Sequence, residues 1–552
     1  MVPYKPDTDY PVTVAYFSME YAIDQALKIY SGGLGFLAGS HLRSAYSLGQ
    51  NITAIGILWS YGYYDQVRDN DASMKPEFIR KHYSFLEDTG IQFAITVHDA
   101  PVQVKVMRLD PETFGTVPLY LMTTDIPEND YLSRTISHRL YDPNEPTRIA
   151  QSILLGSGGA ALLELLEIQP DVYHLNEGHA LPLAFQLYRK YQDLKEVQKR
   201  LVFTIHTPEK AGNEEHSFKL LEEMSFFSDL PVLMVREFLN NDSPTLNYTE
   251  TALRMSGKAN GVSKINGEVT RNIWKRTAGI CDIISITNAQ NRKYWADHEL
   301  ETALIANDDY AIIDRKKTLK KQLFTVVADQ CGKLFDVDIL TIVWARRIAP
   351  YKRADLLLYD WDRFLNIINS KRYPVQVIWA GKPYPEDQAG ITLFNRIRSL
   401  TEFQPNCAVL TGYELQLSAM LKKGSDIWLN TPRMYHEASG TSGMSAAMNC
   451  SMNVSFPDGW IPEFAVDTKN CFIIRPAKTN QYTAENDREE ARNLLDLLER
   501  KIIPMYYKSI SEWIEIIKRA SLDVNAGFDS DRMVNQYTYL LYDQADQDQF
   551  SG

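Results

Sequence analysis

The chain has 552 residues, 45% of them hydrophobic and 23% charged, and a formal net charge of −12. That length suits two or three domains, and that composition a soluble globular protein. The acidic balance argues against sequence-general nucleic-acid binding and against docking on anionic membranes.

Five scattered cysteines form no CxxC pair, the opening residues lack a signal-peptide pattern, and no apolar run approaches a membrane span. The expectation is a cytoplasmic protein with neither a nucleic-acid nor a membrane partner. A homo-oligomer is left open.

In chain order, short β-branched and aromatic runs alternate with helix-period stretches. Val12–Phe17, Ile52–Leu58 and Leu201–Ile205 read as buried strands of a first system that runs to about Thr287, with a helical pattern at Ile149–Leu166. Residues 298–338, with the charge run Arg315–Lys321, read as a helical connector. Leu340–Ala345, Val375–Ala380 and Ile427–Leu429 are the strands of a second system, with a helical pattern at Leu356–Asn369, and residues 488–545 read as charged, aromatic-rich helices. The class predicted is α/β, with parallel sheets covered by helices on both faces. The domains expected are residues 1–287 and 288–552, with ligand between them at the strand carboxyl ends.

Four segments carry candidate chemistry. Ser31-Gly32-Gly33-Leu34-Gly35 follows a strand and enters a helix pattern, where free backbone N–H groups attract an anion. His174-Leu175-Asn176-Glu177-Gly178-His179 holds two histidines and a carboxylate, but the spacing is not that of a metal site and no metal is expected. Ala345-Arg346-Arg347-Ile348-Ala349-Pro350-Tyr351-Lys352-Arg353 puts four cations at a strand end, a pattern suited to phosphoryl oxygens. Glu437-Ala438-Ser439-Gly440-Thr441-Ser442-Gly443-Met444-Ser445 is rich in glycine and hydroxyls around one carboxylate.

Together with Asn260–Arg271 and Thr287-Asn288, these segments resemble the signatures of the α-glucan phosphorylases, over about Val12 to Trp460. The resemblance, to the short bacterial and archaeal type, implies a GT-B fold: two Rossmann-like, doubly wound domains facing across a cleft. It implies that Arg347 and Lys352 hold substrate phosphate and that Arg346 lies near a cofactor phosphate. Gly32, Gly33 and Leu34 match the glycine loop, with the Gly33 amide facing phosphate. His179 and Asn288 match sugar-site residues, and His206, in Thr204-Ile205-His206-Thr207-Pro208, another segment near the cleft. Glu437 matches the carboxylate that binds sugar hydroxyls, beside the amides of Gly440 and Thr441.

Four departures stand out: Ser40 for aspartate, Asn213 for histidine, Cys450 for glycine and Ser445 for lysine. In the family that lysine carries pyridoxal phosphate as a Schiff base, which a hydroxyl cannot form. No covalent pyridoxal phosphate is therefore expected. In related nucleotide-sugar enzymes the position eight beyond the sugar-binding carboxylate contacts ribose, and here that position is Ser445. The preferred expectation is a retaining hexosyltransferase, with glucose as the sugar, that uses a nucleotide-sugar donor and a carbohydrate acceptor. The alternatives are a phosphorylase working without covalent cofactor on glucose 1-phosphate and glucan, and a non-catalytic glucan-binding paralogue.

Overall fold

The structure is a computed structural model that describes residues 10–206, 213–479 and 483–543. Its residues fall into two compact units. The first takes residues 10–64, 78–291 and 530–543, and the second residues 65–77 and 292–529.

The first unit is built on a nine-stranded sheet. Its strands are β1 (Val14–Phe17), β2 (Ile52–Ile57), β3 (Glu87–Val97), β4 (Ala100–Leu109), β5 (Leu119–Thr123), β6 (Val172–Asn176), β7 (Leu201–Ile205), β8 (Lys258–Gly261) and β9 (Asp282–Ser285). Their order is β9-β8-β7-β6-β1-β2-β5-β4-β3, and only β4 runs against the others. Every residue of β1, β2, β6 and β7 is buried, as an apolar run covered on both faces must be. The strand order turns back between β1 and β6, the place where an open α/β sheet takes a ligand at its carboxyl edge.

The second unit carries six parallel strands: β10 (Leu340–Ala345), β11 (Val375–Ala380), β12 (Cys407–Leu410), β13 (Ile427–Asn430), β14 (Met452–Ser455) and β15 (Phe472–Ile473). The order is β12-β11-β10-β13-β14-β15, so the turning point lies between β10 and β13. Val343, Ile378 and Trp428 pack with Leu323 and Leu421 on one face; Ile342, Trp344 and Trp379 pack with Leu494 and Ile516 in a second cluster. Burial of each such side chain stabilises by roughly 1.5–3 kcal/mol.

Three expectations change. The helical pattern at 149–166 is a helix at Glu145–Ile153, a wider π turn at Leu154–Gly158 and a second helix at Gly159–Leu165. At the turn the backbone of Gly156 lies so close to Ala180 and Leu183 that a Cβ would sit 2.6 Å from the Leu183 nitrogen. The pattern at 356–369 breaks at Asp360, whose carboxylate caps a new helix, Trp361–Ile368, at the Arg363 N–H.

The third change is the division 1–287 and 288–552. Residues from Ser530 pack with the first unit: the Ser530 N–H donates to the Gln290 carbonyl (3.0 Å), and the Tyr542 hydroxyl pairs with His174 Nδ1 (2.8 Å). Conversely, the hairpin Asp65–Arg68 and Met74–Glu77 belongs to the second unit, where Gln66 bonds the Gly381 carbonyl (2.9 Å) and the Gly412 N–H (3.0 Å). Long-range hydrogen bonds, not chain order, assign both segments.

Candidate functional site

In the first unit the candidate residues follow the carboxyl ends of β1 (the glycine loop), β6 (His179), β7 (His206) and β9 (Asn288). Glu20, three residues beyond β1, is buried. Its carboxylate accepts from the Ser31 N–H (2.6 Å), the Ser31 hydroxyl (3.0 Å), the Gly32 N–H (3.1 Å) and the Tyr141 hydroxyl (2.7 Å). It thereby shapes the glycine loop at the start of helix α1 (Gly33–Ser47). Gly32 is thus corrected from a ligand donor to a fixed member of the loop. Gly33 and Leu34 open a helix that no side chain caps, and a Cβ on Gly33 would meet nothing within 4 Å. Uncapped first-turn N–H groups with clear space before them suit an anion.

Beyond β6, Glu177 turns the chain at φ 71° and ψ 170°, a conformation that costs a non-glycine residue about 1–3 kcal/mol. Its carboxylate accepts the His206 N–H (2.7 Å). His206 Nε2 donates to Asn176 Oδ1 (2.7 Å), and Asn176 donates to the Ser18 hydroxyl (3.1 Å). Burial lowers His206 to about 4, so it is neutral. Thr207 and Pro208 of that segment lie outside the described residues. The His179 ring lies 5.6 Å from that of Tyr141, which itself sits at φ 60°. His179 Nδ1, Asn288 Oδ1 and Asn213 Oδ1 are buried polar atoms with no hydrogen-bond partner among the described residues. Such atoms in a native protein call for a ligand or water.

In the second unit the loops after β10 and β13 meet at the turning point of the sheet. Arg346 and Lys352 are buried, and both face Glu437: Arg346 Nη2 lies 2.7 Å from Oε2, and Lys352 Nζ 3.6 Å from Oε1. Burial works to raise Glu437, but Arg346 and Lys352 overcome it and hold the carboxyl below its ordinary range. Burial, with Arg346 alongside, lowers Lys352 to about 7 despite Glu437. Arg346 Nη1 has no partner among the described residues. Arg347 is exposed. Gly440 passes the pair at φ 84°, and a Cβ there would meet Arg346 Nη2 and Glu437 Cγ at 3.3 Å. Thr441 is buried and accepts the Met444 N–H (3.1 Å).

The fourth cation of the run is structural. Arg353 is buried, donating to the Thr431 (3.0 Å) and Pro432 (2.9 Å) carbonyls and pairing with Asp487 (3.1 Å) and Glu490.

Ser445 lies in the short helix Ser442–Ala447, fully buried. Its hydroxyl points at its own helix, 3.3 Å from the Ser442 carbonyl and 3.4 Å from that of Thr441. It is thus not presented as a ribose ligand, contrary to expectation. Nor does the position fit pyridoxal phosphate, which needs an amine for its imine. Cys450 sits at φ 56°, in the left-handed region where glycine is at ease, so the glycine-to-cysteine departure introduces strain. Ser40 donates to Gln290 Oε1 (3.3 Å) within the buried interior.

Sequence reasoning missed Glu20, Tyr141 and Asp458. Asp458 accepts the His436 (3.1 Å) and Glu437 (2.9 Å) N–H groups and fixes the Glu437 loop; burial pushes it up to about 6. Among the described residues no His/Cys/Asp/Glu group could hold a metal, and no helix is long and apolar enough to cross a membrane.

Residues 14–272 match the family model of the starch synthase catalytic domain. An uncharacterized protein of Methanocaldococcus jannaschii is 45% identical, over 96% of this chain and 99% of that protein. Maltodextrin phosphorylase of Thermococcus litoralis is 32% identical, over 98% of this chain and 72% of its own length. Glycogen phosphorylase of Aquifex aeolicus is 30% identical, over 98% and 87%. Similarity of this extent runs through both sheets and all four candidate segments, and the chain belongs to the glycogen and maltodextrin phosphorylase family of glycosyl-transferring enzymes.

Proposed function

We propose that this protein is a retaining hexosyltransferase that transfers glucose from a nucleoside diphosphate sugar to a carbohydrate acceptor, without covalently bound pyridoxal phosphate. One observation carries the reading: the buried Arg346–Lys352–Glu437 cluster keeps an unsatisfied guanidinium N–H, while position 445 has no amine. Arg346, Arg347 and Lys352 stabilise the leaving diphosphate as negative charge builds on it, and the first-turn amides of Gly33 and Leu34 add neutral donors. His179, Asn288 and Glu437 orient the sugar, beside Gly440 and Thr441. Ser445 stays inside its helix, so selectivity for the nucleoside comes from other residues. The GT-B pairing of the two units is proposed on family grounds alone, and a cytoplasmic location on cysteine usage.

The test is ligand-linked stability with UDP-, GDP- and ADP-glucose, glucose 1-phosphate and pyridoxal phosphate. A nucleotide sugar should raise the melting temperature most. Borohydride should add no pyridoxyl mass to any lysine; an adduct would remove the cofactor part of the proposal.

A second reading is favoured by the relatives named as phosphorylases and by the turned-in Ser445 hydroxyl. It is a phosphorylase acting on glucose 1-phosphate and glucan without covalent cofactor. Binding of glucose 1-phosphate without any nucleoside diphosphate at millimolar concentration, together with phosphate release on glucan extension, would establish it instead. Retention is checked on the product's anomeric proton: a β-linked product from an α-linked donor overturns that part.

A further inference from the structure

We propose that His216 is a positioning residue of the proposed sugar site: as an imidazolium it ties Glu145 to Glu214 and so fixes the backbone that carries His179 and Asn213. This rests on the sugar-site part of the function proposed above, not on the choice of donor.

The bond count sets the charge. His216 is buried, with Nδ1 2.6 Å from Glu145 Oε1 and Nε2 2.8 Å from Glu214 Oε2. An ionised carboxylate only accepts, and a neutral imidazole has a single N–H. Both contacts are hydrogen bonds only when both ring nitrogens carry protons. Burial pulls His216 down, but Glu214 and Glu145 overcome it and hold the ring above its ordinary range. Burial works to raise Glu214, but His216, His179 and Arg148 hold it below its own. Arg148 Nε lies 3.3 Å from Glu214 Oε1, and the Tyr248 ring meets that of His216 edge-on at 5.3 Å. With the imidazolium in place, two carboxylates face two cations and the cluster is neutral.

The bridge stands behind the site. Glu145 opens the helix Glu145–Ile153, four residues after Tyr141, and His216 lies in the short strand Glu215–Ser217. The Glu214 carbonyl accepts the Tyr248 N–H (2.9 Å). Tyr248 in turn packs on the turn that holds His179: a Cβ on Gly178 would lie 3.2 Å from Tyr248 Cβ. Asn213 immediately precedes Glu214. The clamp therefore reaches two of the three buried polar atoms that have no hydrogen-bond partner among the described residues, Asn213 Oδ1 and His179 Nδ1.

Loss of one proton breaks the clamp. It removes one N–H and leaves two carboxylates to a single guanidinium. Glu145, 49% exposed against 30% for Glu214, is the side that water serves instead. Because the folded value is raised, the clamp is complete below the ordinary histidine range and is lost as pH rises through the raised value.

The experiment uses the full chain with 15N-labelled histidine, as wild type, Glu145→Gln and His216→Gln. The probe is D-glucose, which carries no phosphate for Lys352. Imidazole 15N shifts report the protonation of His216, identified by the resonance that His216→Gln loses. Should that variant not fold, the resonance displaced by Glu145→Gln identifies the ring. Saturation-transfer NMR gives glucose affinity across the same pH series. In wild type both ring nitrogens should be protonated at pH 6.5, and affinity should hold up to the His216 midpoint and fall roughly threefold or more above it. Glu145→Gln removes one anion at a half-exposed position, so the midpoint should drop by about half a pH unit or more and the fall in affinity should move down with it. His216→Gln should bind glucose weakly at every pH. Glucose binding that shows no such fall, or a fall at the same pH in wild type and Glu145→Gln, overturns the inference and leaves the sugar site standing. So does a His216 that titrates at or below the ordinary 6.5. No glucose binding by any of the proteins at millimolar concentration removes the proposed sugar site and the inference together.

Discussion

Each unit keeps a carboxylate against the groups that ought to meet a phosphate, and the two are held in different ways. Glu20, in the first unit, accepts from two backbone N–H groups and two hydroxyls, all neutral and all well placed. Glu437, in the second, faces two cations at 2.7 and 3.6 Å, and one of these keeps a spare, unsatisfied N–H. A carboxylate saturated by neutral donors is part of the frame, because a phosphate gains little by competing for them. A carboxylate held by cations is part of a charge cluster, in which an incoming anion would compete for the same donors. The donor type separates the two where exposure does not, since both side chains are buried or nearly so.

The most severe way to break this comparison is to remove a cation from beside Glu437. Arg346→Leu leaves Glu437 with only the more distant Lys352, and breaking a buried pair from one side costs about 3–5 kcal/mol. Urea unfolding should show a loss of that size. A loss under about 1 kcal/mol would mean that the pair is solvated and that Glu437 holds nothing in place. Lys352→Ala should be milder for the fold and stronger for the ligand. One charge-assisted contact is worth about 1.5–3 kcal/mol, so donor affinity or rate should fall roughly tenfold or more with the fold intact. Unchanged binding would take Lys352 out of the grip.

The comparison sharpens further with pH. Lys352 titrates near 7 in the folded protein, far below a free lysine, and an anion prefers its charged form. Affinity for a phosphate ligand should therefore be flat below pH 7 and weaken about tenfold per pH unit above it, with proton uptake on binding. Stability has the opposite slope: between 7 and the ordinary lysine range the unfolded chain binds the extra proton, so folding strengthens as pH rises through that window. A flat affinity profile from pH 6 to 9 would place the responsive proton elsewhere.

What the sequence discloses follows the same division between local and distant causes. Leu201–Ile205 and Val375–Ala380 are strands with the bounds their apolar runs suggest, because burial on both faces is written into consecutive residues. The glycine loop and the cation run are legible as strand-end motifs. What stays hidden depends on partners far along the chain. Arg353 is indistinguishable from Arg346 in sequence, yet it turns towards Asp487 and Glu490, 134 and 137 residues on. Glu20 reads as an ordinary residue after a strand until the loop at Ser31 folds back on it. The Gln66 hairpin changes unit through hydrogen bonds to Gly381, Gly412, Val409 and Asn395 that no composition shift announces.

The mildest change tests whether the frame carboxylate serves the proposed sugar site. Tyr141 joins the two: its hydroxyl donates to Glu20 at 2.7 Å, its ring lies 5.6 Å from that of His179, and its backbone sits at φ 60°. A tyrosine held in a conformation that costs it about 1 kcal/mol is over-determined by its surroundings. Tyr141→Phe keeps the ring and removes one hydrogen bond to a buried carboxylate. Stability should fall by about 1–2 kcal/mol, since three other donors still serve Glu20. The kinetic effect should be selective. With the hydroxyl gone, the ring keeps its edge contact with Tyr63 (6.5 Å) but loses its polar anchor to Glu20 beside His179, so turnover should drop several-fold while the apparent affinity for a phosphate probe stays within about twofold. Equal losses in both would mean that Tyr141 merely supports the glycine loop. No loss in turnover would mean that His179, at the proposed sugar site, is set by Glu177 and its strained turn rather than by the Glu20 frame.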